Sequence, residues 1–119
     1  MSVTIEAIKL PESGPLHLEL NLTTHIAFTA EDARRKVSVY VGNHIADLLS
    51  GETPTLVWRQ ERAFWRVPVT LSSRSWGRIG QVGTLDVDVQ TGELQIEDTQ
   101  IQEIEDNAGR FAASATQRL

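Results

Sequence analysis

Ala63-Phe64-Trp65-Arg66-Val67-Pro68-Val69-Thr70-Leu71 decides the fold, because its apolar and polar residues alternate. In an extended chain Ala63, Trp65, Val67, Val69 and Leu71 share one face, and Phe64, Arg66, Pro68 and Thr70 share the other. Successive strand side chains point to opposite sides, so this is a strand with one face in a core. Pro68 has no ladder donor, so the strand there lies at an edge, carries a bulge, or turns that N–H position outward. Before it, Thr55 to Arg59 forms a strand joined through Gln60-Glu61-Arg62. After it, the Ser, Arg and Gly-rich residues 72–80 read as a loop. Val82 to Val89 is again a strand, with Leu85, Val87 and Val89 inward beside Gly83, and Thr84, Asp86 and Asp88 outward. Gln90-Thr91-Gly92-Glu93 makes a tight turn into Leu94 and Ile96, with Gly92 able to take positive φ.

The helices flank this block. Thr29-Ala30-Glu31-Asp32 resembles a capping box with Asp in place of Glu or Gln. Ala33, Val37, Tyr40, Val41, His44, Ile45 and Leu48 follow at helical spacing, which predicts a helix from about 30 to 49. Thr99 is the expected cap of a closing helix over 99–112, carried by Ile101, Ile104, Ala108, Phe111 and Ala112, with residues 113–119 fraying. At the other end, Leu16, Leu18, Leu20 and Leu22 alternate with polar residues and predict a half-buried strand, preceded by a turn over Pro11–Pro15 and by a first strand over Val3–Leu10. The expected order is β-β-α-β-β-β-β-α. This is an α+β fold, an antiparallel sheet packed by helices on one face in two layers, with residues 1–119 as a single domain.

Composition narrows the function classes. At 119 residues and 40% hydrophobic content the chain is long enough to bury a core. Without Cys it has no disulfides, thiolate metal sites or Cys nucleophile. No apolar run is of membrane-spanning length, and Met1–Glu6 contains neither a basic nor an apolar signal region, so a cytoplasmic protein without membrane contact is expected. The net charge of -5 is unevenly spread, since residues 1–32 carry -4, residues 33–78 carry +5 and residues 79–119 carry -6. Nine of the eleven basic residues are Arg, and all three Trp lie in the basic block. Arg stacks on aromatic rings and forks onto carboxylates, which makes that block the first place to seek a partner surface.

Residues 28–96 resemble a PepSY-type unit. The resemblance rests on the helix opening Phe28-Thr29-Ala30-Glu31-Asp32-Ala33, the strand Trp65-Arg66-Val67-Pro68-Val69, and the hairpin Val87-Asp88-Val89-Gln90-Thr91-Gly92-Glu93-Leu94. Residues 1–27 and the closing helix at 99–112 lie outside it. The resemblance implies a small binding or inhibitory module without catalytic residues of its own, and it names no partner.

No constellation for chemistry stands out. His17, His25 and His44 have no metal-ligand spacing, so neither a metal nor a cofactor is expected. Gly77, Gly80 and Gly83 recur every three residues but run from strand to strand, unlike a phosphate-cradling loop that opens a helix. Asp86 and Asp88 face the same way, and with Arg59 and Arg66 on neighbouring strands they are better read as ion pairs than as an acid/base couple. The candidate partner-binding residues are Arg59, Arg62, Phe64, Arg66, Arg74, Trp76 and Arg78, a mixture of Arg and aromatics typical of interface hot spots. The expected function is a small non-catalytic protein-binding module whose partner is another protein or a second copy of itself. An inhibitor or antitoxin-like partner of a nuclease or peptidase is the first alternative. A single-stranded nucleic-acid binder is the next, opposed by the acidic overall balance.

Overall fold

The computed structural model describes residues 3–6 and 12–117. Its elements are β1 (Val3–Ile5), α1 (Ala30–His44), β2 (Leu49–Gly51), β3 (Thr55–Arg59), β4 (Arg62–Ser73), β5 (Gly77–Asp88), β6 (Leu94–Gln95) and α2 (Asp98–Gln117). One six-stranded sheet runs β1-β3-β4-β5-β6, with β2 pairing the far end of β4. The class is α+β as expected, and the sheet is antiparallel apart from β1, which runs parallel to β3.

The alternation in β4 holds along its length. Ala63, Trp65, Val67, Val69 and Leu71 are buried with Val82, Leu85, Val87 and Val89 of the following strand, under Ala33, Val37 and Val41 of α1 and Ile104 of α2. α1 lies over β2 and β4, and α2 over β5. The capping box forms as expected, since Thr29 Oγ1 accepts from the Asp32 N–H and Asp32 Oδ2 accepts from the Thr29 N–H. Gly83 lets Ile104 approach the β5 backbone, where a Cβ would collide with that side chain. Pro68 costs no ladder bond. Its carbonyl accepts from the Glu52 N–H at 2.9 Å, so its missing donor points to the same side, where β3 has ended and β2 has not yet begun.

Several local expectations are corrected. Residues 16–22 form no strand, and all four leucines are exposed, by 39% to 55%. Alternation records a one-sided apolar face, but a strand also needs a neighbour to bond with, and the position beside β3 is taken by β1. The first strand ends at Ile5, while residues 7–10 of its expected span, and Pro11 of the expected turn, lie outside the described residues. α1 stops at His44, because the Ile45 and Ala46 N–H groups both turn onto the Val41 carbonyl and Leu49 enters β2 against Leu71. Residues 72–80 are mostly ladder: only 74–76 form a loop, closed by Gly77 at φ 73°. α2 begins at Asp98, with the Ile101 N–H bonded to the Glu97 carbonyl, so Thr99 sits inside the first turn and not at the cap. The helix continues to Gln117, beyond the expected 112.

The β3–β4 hairpin is closed by Gln60 and Glu61, at φ 52° and 65°. Positive φ at both central residues matches the sheet's twist but suits Asn and Gly rather than long side chains. Replacing the pair by Gln60→Asn with Glu61→Gly is therefore expected to stabilise the fold by about 1 kcal/mol. Thermal unfolding should shift upward by about 3–5 °C.

Candidate functional site

The even-numbered face of β4 carries no helix, and arginines close it. Register places Arg66 opposite Asp86, Phe64 opposite Asp88, and Arg59 opposite Arg62. Arg66 forks onto Asp86, with Nε to Oδ1 at 2.9 Å and Nη2 to Oδ2 at 3.0 Å, and its Nη1 donates to Glu6. Arg59 reaches the same Asp86 at 3.3 Å, and Arg62 pairs with Asp88 at 2.6 Å. The two aspartates are only 2% and 3% exposed although they lie on the face that carries no helix. Arg59 also stacks over Phe64, 4.6 Å from its ring centroid, which buries a residue that points away from the helices. The Asp88 carboxylate has a second task, since its Oδ1 accepts from the Gln90 and Thr91 N–H groups and fixes the turn into β6.

A smaller cluster lies further along the same face. Glu52 accepts from Arg78 Nη2 at 3.0 Å and from the buried Thr70 hydroxyl. Hydrogen bonding to Arg78 and Thr70 holds the Glu52 carboxyl below its ordinary value, and Arg66 does the same for Glu6. Arg66 is itself shifted upward, first by its bonds to Asp86 and then by those to Glu6.

The seven candidate partner-binding residues thus separate into two groups. Arg59, Arg62, Phe64 and Arg66 are built into the sheet's own charge lattice, and Arg78 is tied to Glu52. Arg74 and Trp76 stand at the tip of the β4–β5 hairpin, where Trp76 is 54% exposed. The Trp76 backbone N–H donates to Ser73 Oγ at 2.8 Å, which ties the loop backbone at the residue that carries the indole. Arg78 begins the returning strand and remains accessible. Glu6 is a participant that the sequence did not reveal: its role depends on β1 docking parallel to β3, and no local pattern encodes that pairing.

Among the described residues no three or more His, Asp or Glu gather as metal ligands, and no helix is long and apolar enough to cross a membrane. A small polar recess lined by Thr23, Thr24, Trp58, Arg62, Asp88 and Gln90 sits at the β3–β4 turn. No family model matches the chain, no curated protein matches its sequence, and no solved structure matches it.

Replacing Arg66 by Met leaves Asp86 buried with Arg59 as its one remaining charged partner among the described residues, at an expected cost of about 2–3 kcal/mol in urea unfolding. Adding Asp86→Leu should recover most of that loss, because the buried charge is then gone. Glu6 adds a pH dependence. Its folded-state value lies below the ordinary 4.5, so its contribution is complete above pH 4.5 and disappears as pH falls through the lowered value. Glu6→Gln should therefore be less stable than the parent by about 0.5–1 kcal/mol at neutral pH. Denaturant titrations at falling pH should show the two converging.

Proposed function

We propose that this chain is a small protein-binding module without a catalytic site, engaging its partner through the tip of the β4–β5 hairpin. The observation that carries this reading is Trp76, half exposed between Arg74 and Arg78 at the end of two paired twelve-residue strands. An exposed indole costs solubility, and Trp beside Arg is the pairing most enriched where binding energy concentrates. The hairpin ladder and the Ser73 bond hold the tip in one conformation, so binding there loses little conformational entropy. Arg74 makes no ion pair among the described residues and is available to an acidic partner. A binding module is also what the PepSY-like pattern of residues 28–96 implies. The nucleic-acid alternative has less support, because Arg59, Arg62 and Arg66 already neutralise carboxylates of the same sheet.

Native mass spectrometry of the chain after incubation with a lysate of its source tests the reading. A defined companion is expected, and Trp76→Ala is expected to weaken its capture by about 30-fold. Arg74→Ala should weaken it less, and both variants should unfold at the parent temperature. A companion held equally well by Trp76→Ala, or no companion, overturns the assignment.

A further inference from the structure

The charge lattice and the hairpin tip leave one feature of the sequence unused, the alternating leucines. Leu16, Leu18, Leu20 and Leu22 are exposed on a segment that bonds to no strand among the described residues. His17 Nε2 and Glu19 Oε1, two residues apart, are 3.0 Å apart, so the polar side chains share one side of the backbone. The leucines are left on the other.

The same chain holds a matching vacancy. β1 bonds to β3 on one side only, and its outer edge has no neighbour among the described residues. By register Val3 and Ile5 share a face with Leu56 and Trp58, the face that the helices cover elsewhere. α1 and α2 lie over β2, β4 and β5, and Val3 remains 50% exposed. The opposite end of the sheet is guarded: β5 is interrupted by register shifts, and Asn107 Nδ2 on α2 donates to the Val82 carbonyl. Among the described residues the β1 edge has no such guard.

The dimensions agree with a missing neighbour. The radius of gyration is 16.7 Å, where about 13.5 Å is ordinary for 119 residues. The accessible surface of 8051 Å² exceeds the roughly 6,400 Å² usual at this mass by more than the share one subunit commonly buries in a stable interface.

We infer that two copies of this chain exchange their Leu16–Leu22 arms, each arm adding a strand to the free β1 edge of the other copy. Its leucines then extend the apolar face of Val3, Ile5, Leu56 and Trp58, and His17 and Glu19 fall on the arginine-bearing face. A second copy is favoured over a foreign partner because one chain supplies both halves of the contact. A single two-fold axis satisfies both arms and both edges at once. The hairpin tip takes no part, so this inference stands or falls independently of the partner proposed for Trp76.

The first readout is mass in solution by light scattering across a dilution series. Twice the 13.2 kDa chain mass is expected. Leu18→Asp and Leu20→Asp, at positions already exposed within the monomer, should each weaken the dimer by about tenfold or more while leaving circular dichroism unchanged. The second readout uses the absence of Cys. Thr4→Cys and Glu19→Cys, made on separate chains carrying different tags, should form a mixed disulfide well above the yield of either variant alone. A monomer throughout, a dimer indifferent to both Asp variants, or a disulfide formed only within a Thr4→Cys/Glu19→Cys double variant, with the arm folded onto its own edge, would each overturn the inference.

Discussion

The structure depends on keeping two carboxylates buried on a sheet face that has no second layer. Most two-layer folds leave that face to water, with short polar side chains projecting from it. Here Arg59, Arg62 and Arg66 pair with Asp86 and Asp88, and Arg59 stacks over Phe64. Their long aliphatic stems supply apolar cover and their planar heads supply charge, a combination Lys does not offer in fork geometry. The register of β3, β4 and β5 is tied to this lattice, since a one-residue slip would set an Asp against the helices and a Val under the arginines.

The opposite face is organised by size rather than charge. Val and Leu fill the space below α1, whereas α2 approaches β5 over Gly80 and Gly83, with Phe111 and Ile104 resting on the exposed backbone. A similar close contact fixes the entry to α1. The Phe28 ring packs on Gly92, its carbonyl accepts from Trp65 Nε1 at 2.8 Å, and Lys36 donates to the Gly92 carbonyl. The first helix and the β5–β6 turn are therefore held as one unit.

Much of this is legible in the residues. The alternation at 63–71 and 82–89 identifies the faces, the parity of Arg66 and Asp86 anticipates their pairing, and the Thr29 box marks the helix start to the residue. The failures have a common cause, which is that pattern records what a segment prefers and not what lies beside it. Leu16–Leu22 alternates as cleanly as β4 yet has no neighbour. Leu48 and Leu49 continue the helical spacing of α1, but the ladder with Leu71 takes the chain away after His44. The Ser and Gly content of 72–80 reads as a loop, although Gly77 closes a three-residue turn and the ladder continues through two register shifts. Glu6 escaped because the parallel contact that delivers it spans over fifty residues of chain.

That separation also ranks the strands by the time at which they assemble. The β4–β5 hairpin closes across three loop residues and the β3–β4 hairpin across two, so their ladders zip with little loss of chain entropy. β1 must instead find Leu56–Trp58 after closing a far longer loop, and its short register returns few bonds for that cost. Within a single copy it is thus expected to dock last and to open first, with amide hydrogens at Thr4–Glu6 exchanging through local opening and those of β4 and β5 through unfolding of the whole sheet.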